Sequence, residues 1–231
     1  MPETQSLERK NMAVSDKASA LETIKDEHRS MAGVLKLLQR LLSDIAAEHT
    51  EVDFGVLALA LYYLDDFACR CHHPKEDKYL FAAIRRHLPS ALTTLNGLQA
   101  EHQRDDHYIR DLHRFLVLYQ AGAPDALKHL VASLDIYAAM LYDHMRKEEA
   151  LFDSIGDSIP QADWRAIAEG FAAEDDPLFG KSPKEEFAKL RHRIVNLLPS
   201  KMRSGQDHRH TGAQAQAHGQ GGAQETAMHA Q

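Results

Sequence analysis

Cysteine is scarce in this sequence of 231 residues, which contains only Cys69 and Cys71. Two cysteines in a chain of this length do not form a disulfide framework. If the stretch is helical, side chains two positions apart point about 200° away from each other, so these two thiols cannot pair. We therefore expect both to be free thiols, buried or partly buried.

Long apolar runs and a basic surplus are also missing. No uninterrupted apolar segment approaches the ~20 residues that a membrane-spanning helix needs. Residues 1–20 include Glu3, Glu8 and Asp16 and lack the apolar centre of a signal peptide. The net charge of −7 is spread along the chain without a basic stripe, so no nucleic acid partner is expected. These absences predict a cytoplasmic protein that does not bind membranes.

Helical periodicity is what the sequence does contain. Apolar residues recur at steps of three and four in four segments, which places them on one face of each predicted helix. The fourth segment, from Leu127 to Ile155, is the most regular. Asp53 is predicted to cap the second helix, and Pro74 to kink or restart it. Four such helices with short connections predict an all-α fold, an antiparallel up-down four-helix bundle.

The two ends of the chain differ in composition from the middle. We predict a flexible N-terminal segment at residues 1–20, the bundle at 21–156, a small C-terminal helical annex packed on the bundle at 157–200, and a disordered tail rich in His, Gln and Gly at 201–231. Within the annex, Asp163 is expected to cap a short helix.

Polar side chains interrupt the apolar stripes at six positions where a leucine would be expected: His28, His72, Glu76, His102, His144 and Glu148. Burying such a group without a partner costs roughly 2–7 kcal/mol when it is neutral, and far more when it is a bare carboxylate. Something must therefore receive these side chains, and a bound cation can receive all six.

The spacing of these residues favours two cations. The HxxxE pairs at 72–76 and 144–148 place an imidazole and a carboxylate one turn apart on the same helix face. His28 precedes the first pair by 44 residues, and His102 precedes the second pair by 42. Four imidazoles and two bridging carboxylates would then meet at mid-bundle about a pseudo-twofold axis, as in a dinuclear metal centre. Because the halves are related, replacing either glutamate with alanine is predicted to have the same effect.

Neighbouring polar residues leave alternatives open. Asp106 lies four residues after a candidate ligand and is either a reserve ligand or a hydrogen-bond acceptor. Asp65 and Tyr137, each seven residues before a candidate histidine, could hold an imidazole in its metal-binding tautomer. His73 is expected to point elsewhere, unless the proline kink rotates it into the place of its neighbour. The donor set suits iron, manganese or zinc, and two bridging carboxylates fit two octahedral ions better than structural zinc.

Three segments carry the candidate ligands: HHPKEDKYLF at 72–81, AEHQRDD at 100–106 and DHMRKEEALF at 143–152. They resemble the bacterial hemerythrin-like (HHE cation-binding) domain. The DDPLFG stretch at 175–180 resembles a region that often follows this domain in bacterial proteins. The resemblance extends over about residues 20–180, and its motifs are specific because they include the candidate ligands and their spacing.

The resemblance implies an up-down four-helix bundle around a non-haem centre of two iron ions with an oxo or hydroxo bridge. Oxygen carriers of this family use five histidines and two carboxylates, with two histidines four residues apart in the third helix. Here Asp106 takes the second of those positions, so the chain is more similar to the four-histidine, two-glutamate subgroup. That subgroup includes proteins linked to the nitrosative-stress response and to repair of iron–sulfur clusters.

The function implied is binding or turnover of a small oxidant or diatomic ligand (O2, peroxide or NO), in oxidative or nitrosative stress or in iron homeostasis. The sequence does not decide whether the protein is an enzyme. The alternatives are a non-enzymatic oxygen or iron sensor or store, and a scaffold that the metal only stabilises. No motif identifies a redox partner protein or an oligomeric state.

Overall fold

The computed structural model describes the backbone of residues 2–197 and the side chains of residues 16–196. The chain divides into two compact units, residues 1–194 and 195–231, and the first contains every described helix except the end of the last one. The predicted disordered tail at 201–231 lies outside the described residues, as do its histidines. Throughout the part that is described, regular structure is helical and no strand occurs.

Six helices follow one another in the described residues: α1 (Pro2–Ala46), α2 (54–87), α3 (Leu92–Gln120), α4 (Ala126–Ile155), α5 (Gln161–Ala172) and α6 (Ala188–Leu197), with short 3-10 turns at Pro89–Ala91 and Glu185–Phe187. The backbone of α1 is already helical where the flexible segment was predicted, and that flexibility stays a prediction. None of these helices, within residues 2–197, combines the length and the apolar character that crossing a bilayer requires.

The second helix changes its winding along its length. Asp53 caps its start as predicted, because its side chain accepts a hydrogen bond from the Val56 amide at 3.1 Å. The helix is α-helical at Phe54–Tyr63, π-helical at Leu64–His72, α-helical for one turn at His73–Lys75, π-helical at Glu76–Phe81 and α-helical at Ala82–His87. Pro74, which has no amide hydrogen, lies in the short α-helical turn. The predicted interruption is therefore a change of winding inside a continuous helix.

Two apolar clusters form the core, and the polar candidates lie between them. The larger cluster includes Leu38, Leu61, Leu112 and Leu134, whereas the smaller one includes Ile24, Leu80, Leu98 and Phe152. Helices α1 and α3 pass from the smaller cluster to the larger, and α2 and α4 pass in the opposite order. Each of these four helices carries its candidate ligands at the boundary, so the chain is an all-helical bundle with a polar layer inside an apolar core.

Residues that follow α4 add apolar side chains to the core. Trp164, Ile167 and Phe171 of α5 belong to the smaller cluster, and α5 packs along α1. The prediction that Asp163 caps this helix is wrong, because the helix begins at Gln161 after Pro160 and no side chain caps it. Asp163 lies instead in the first turn, where a negative charge interacts favourably with the helix dipole, and its carboxylate lies 2.6 Å from His87 Nε2.

Candidate metal centre

The structure places the six predicted candidates, together with one further histidine, in two groups that could each hold a metal ion. One group consists of His28, His72, Glu76 and Glu148, and the other of His73, Glu76, His102 and His144. Within each group the prospective ligand atoms lie within 4.8 Å of one another. Glu76 is the residue that the two groups share, so the two groups adjoin one another.

The further histidine is His73, and the expectation that it points elsewhere is wrong. Its side chain is buried, and its ring stacks on that of His102 with centroids 4.2 Å apart. The π-helical winding of α2 gives the reason. Because its hydrogen bonds run from i to i+5, each residue turns by less than the ~100° of an α-helix, and two adjacent histidines both reach the interior. The HH dipeptide was visible in the sequence, but an α-helical projection separates its two rings.

Glu76 lies at the centre of the site. Its Oε1 atom is 2.8 Å from His72 Nε2 and 3.4 Å from His28 Nε2. Its Oε2 atom is 3.4 Å from Nε2 of His102, which belongs to the other group. One carboxylate thus has an oxygen facing each group, which is the arrangement a bridging ligand requires.

Glu148 is placed less symmetrically than the repeated spacing predicts. Its Oε2 atom is 3.3 Å from His28 Nε2, but 4.0 Å from Nε2 of His144, its partner in the HxxxE pair. The equivalent distance in α2 is 2.8 Å. The two pairs differ because α4 is a regular α-helix, whereas the pair in α2 spans the change in winding.

Every one of the five imidazoles turns its Nδ1 atom outward to a carboxylate. The pairs are His28 with Glu149 (2.9 Å), His72 with Glu27 (2.6 Å), His73 with Asp105 (3.1 Å), His102 with Asp77 (3.3 Å) and His144 with Glu101 (2.9 Å). A carboxylate that accepts the Nδ1 proton fixes the tautomer and leaves the Nε2 lone pair free for a metal. The contact of His102 with Asp77 differs from the others, because its Nδ1 atom approaches the carboxylate without an aligned hydrogen bond. None of these five carboxylates was predicted from the sequence. Four of them were visible as direct neighbours of a candidate ligand.

Two of the three predicted supporting residues lie elsewhere. The carboxylate of Asp65 pairs with Arg70 at 3.0 Å, and Nδ1 of His72 faces Glu27. Asp106 is exposed, and the adjacent Asp105 is the buried one that reaches the site. Asp105 and Asp106 follow His102 by three and four residues and precede Ile109 by four and three, so both fit the helical stripe and spacing alone could not distinguish them.

Tyr137, the third predicted supporting residue, is fully buried, but Nδ1 of His144 faces Glu101. Burial and the nearby carboxylate of Asp105 raise the pKa of its phenol well above the ordinary value. The Cys69 thiol donates to the same carboxylate at 3.2 Å. Tyr137 and Cys69 therefore both lie beside Asp105, the residue whose carboxylate faces Nδ1 of His73. Both cysteines are free, as predicted.

Whether a metal fits the site can be judged from the hydrogen bonding of the donor atoms that face inward. Buried atoms without an aligned hydrogen bond, among the residues described, include Nε2 of three histidines and all four carboxylate oxygens of the central glutamates: His28, His72, His73, Glu76 and Glu148. Each such group costs about 1–3 kcal/mol or more when it is left unsatisfied. Close approach without an aligned hydrogen bond is typical of ligands around a common ion, so the residues fit a pair of metal ions.

The electrostatics of the site also favour added positive charge. Burial, together with the negative charge of Glu76, raises the pKa of Glu148 to about 7. Burial would likewise raise the pKa of Glu76, but the surrounding imidazoles hold it well below its usual value. For His102, burial lowers the pKa, but the carboxylates of Asp77 and Glu76 outweigh it and raise the pKa to about 10. Two carboxylates so close together need protons or metal cations between them.

The protein is thus a helical bundle whose buried histidines and glutamates form a candidate site for two metal ions. A model of the hemerythrin HHE cation-binding domain family matches residues 19–153, which include every residue of both groups. The chain belongs to this family, as the sequence motifs indicated. The search of curated proteins finds no match to the chain.

Proposed function

We propose that the chain is a non-haem di-iron protein whose iron ions, joined by an oxo or hydroxo bridge, are held by seven residues: His28, His72, His73, Glu76, His102, His144 and Glu148. The observation that carries this proposal is the set of buried, inward-facing donor atoms that share Glu76. This ligand set adds His73 to the four-histidine set expected from the sequence.

The chemistry of the donors favours iron over structural zinc. Neither Cys69 nor Cys71 belongs to either group, whereas structural zinc sites commonly contain thiolates. Imidazole and carboxylate suit a redox-active ion such as iron. When bound, the iron pair supplies a centre that can exchange electrons with a small ligand. The chain's own residues hold the imidazoles in one tautomer through the outer carboxylates and keep bulk water away.

The degree of burial restricts the ligand to a small molecule. His102, whose side chain is 6% exposed, is the most exposed of the seven candidate metal ligands. Four protein side chains in each group leave room for solvent or for a ligand of a few atoms. O2, peroxide and NO meet this requirement. We therefore propose binding or turnover of one of these molecules, in oxidative or nitrosative stress or in iron homeostasis, and a cytoplasmic location stays a prediction.

We further propose that α1 to α4 form an antiparallel up-down bundle. The alternating order of the two apolar clusters along successive helices supports this topology. In this proposal residues 21–156 are the hemerythrin-like bundle and residues 157–200 the annex on it. The packing of α5 along α1 supports the placement of the annex.

The experiment that tests the proposed function is metal analysis of the full chain produced in iron-replete cells, together with an absorption spectrum. Two iron ions per chain and near-ultraviolet absorption bands in air are the expected result. Protein that contains only zinc, or that lacks bound metal after loading with ferrous iron, would contradict the proposal.

The iron-loaded protein can then be assayed for turnover. Oxygen evolution from added peroxide would favour an enzyme. Saturable binding of O2 or NO without turnover would favour a sensor or carrier. If the metal stabilises the fold but the protein neither reacts with these molecules nor binds them, the remaining function is a scaffold that the metal only stabilises.

Substitution of His73 distinguishes the five-histidine from the four-histidine ligand set. We expect His73→Ala to lose one of the two iron ions, because the other histidines of its group cannot replace the missing nitrogen. The matched control is His107→Ala, since that side chain is 70% exposed and lies outside both groups. An unchanged content of two iron ions in the His73 variant would show that four histidines suffice.

A further inference from the structure

Beyond the candidate ligands, the two halves of the site share a second repeated feature, which consists of a lysine and a glutamate. Each ligand glutamate is directly preceded by a lysine, Lys75 before Glu76 and Lys147 before Glu148. A glutamate also directly precedes the single histidine of each half, so that the dipeptide Glu-His occurs at 27–28 and again at 101–102. Neither the lysines nor these glutamates belong to the metal-holding groups.

The structure joins these residues in the same way in both halves. In the first half, Lys75 Nζ donates to Glu27 Oε1 at 2.8 Å, and Glu27 Oε2 lies 2.6 Å from His72 Nδ1. In the second half, Lys147 Nζ donates to the Oε1 atom of Glu101 at 2.5 Å, and its Oε2 lies 2.9 Å from Nδ1 of the ligand histidine. Each glutamate therefore uses one oxygen for the lysine and the other for the imidazole.

The environments of the two lysines differ. Lys75 is 5% exposed, and its ammonium also donates to the Glu174 carbonyl oxygen at 2.9 Å. It lies over the rings of Phe67 and Phe171, at 5.4 and 5.0 Å from their centroids. The side chain of Lys147 is 38% exposed, and it pairs with Asp143 as well. Lysine is almost never fully buried without a partner, so the placement of Lys75 requires the Glu27 contact.

We infer that Lys75 and Lys147 are positioning residues of the metal centre, which lock Glu27 and Glu101 so that His72 and His144 keep Nε2 directed at the metal. The inference rests on the proposed function, because it assumes that metal occupies the site. Neither lysine touches the metal, and each acts through a glutamate and an imidazole.

The difference in burial makes the two lysines unequal. The Lys75 contact is shielded from water, so its loss leaves Glu27 buried beside a ligand imidazole without its cation. The Lys147 contact is open to solvent, and exposed ion pairs contribute little. We therefore expect Lys75→Met to weaken metal binding by roughly 10–100-fold, the range seen when partners of metal ligands are removed. For Lys147→Met we expect a loss below about five-fold.

The experiment measures metal affinity by competition with a chelator and records the absorption spectrum of each iron-loaded variant. Lys78→Met is the matched control, because that exposed lysine on the same helix contacts the Tyr79 ring rather than a carboxylate. The expected result is a large loss of affinity and a shifted spectrum for Lys75→Met, a small loss for Lys147→Met and no change for the control. Lys147→Arg should bind metal as the unmodified protein does, because it keeps the cation at this exposed position.

Three outcomes distinguish failure of the proposed function from failure of the positioning role. Failure of the unmodified chain to bind two ions would overturn the proposed function first. If that chain binds two ions and Lys75→Met binds them equally well with the same spectrum, the positioning role is overturned, even if the variant melts earlier. If Lys75→Met does not fold, Glu27→Gln provides the same test, since it keeps the shape of the side chain and removes the charge that Lys75 contacts. Unchanged affinity in Glu27→Gln would equally overturn the inference.

Discussion

Glu76→Ala is expected to abolish binding at both metal positions, whereas Glu148→Ala should leave one ion bound. Glu76 belongs to both groups and has an oxygen facing each of them, but Glu148 belongs to one group only. Without Glu76 the second group retains three imidazoles and no carboxylate. Without Glu148 that group keeps all four of its residues. Metal content per chain, measured after dialysis against a weak chelator, should fall to near zero in the first variant and to about half in the second.

The sequence alone predicted equal effects for the two glutamates, so this pair of variants also tests the structure against the symmetric pattern. A suitable control is Glu48→Ala, because Glu48 is exposed, lies just after the end of α1 and belongs to neither group. Equal losses in the two glutamate variants would restore the symmetric interpretation. Full retention of two ions by Glu76→Ala would contradict the proposed bridging role.

The helical architecture could be predicted because one periodic signal determines most of it. Apolar residues at steps of three and four locate the buried face of a helix, and polar residues on that face are conspicuous. His102 and Glu148 could be identified in this way, since each occupies a core position in an otherwise apolar stripe. The family motifs supported the same residues independently of the periodicity.

The remaining features depend on geometry that periodicity does not contain. His73 reaches the site because α2 is π-helical on both sides of Pro74, and no simple sequence pattern predicts that winding. The choice of Asp105 over Asp106 depends on how α3 is rotated about its axis. Asp163 was assigned as a cap because the helix start was placed three residues too late, and helix boundaries are the part of a helix that sequence patterns locate least well.

The carboxylates that face Nδ1 of the histidines were hard to predict for a different reason. Glu149 follows the ligand Glu148 in α4 but contacts His28 in α1, and Asp77 follows Glu76 in α2 but contacts His102 in α3. These contacts connect helices from different halves of the chain. Spacing within a helix cannot reveal them, although the acidic residue after each ligand glutamate is visible in the sequence. The pseudo-twofold repeat thus extends to the residues that orient the ligands.

Metal loading is expected to raise the melting temperature strongly. Ferrous iron at about 1,000 times its dissociation constant stabilises the folded state by about 4 kcal/mol. For a chain of this size each kcal/mol corresponds to about 2–4 °C, so we expect an increase of roughly 8–16 °C. The measurement is anaerobic thermal unfolding followed by circular dichroism, with and without iron. Magnesium is the control cation, because it prefers oxygen ligands and should produce little change.

This increase in melting temperature should become larger as the pH rises from 6 to 8. Without metal, the pKa of Glu148 is raised from 4.5 to about 7 and that of His102 from 6.5 to about 10. The stability that protons give these groups is complete below the unfolded pKa values and is lost as the pH rises through the folded ones. A metal ion must displace those protons, so acid weakens its binding, and higher pH both favours the ion and removes the competing stabilisation. An increase that is the same at every pH would mean that the ion binds away from these two groups.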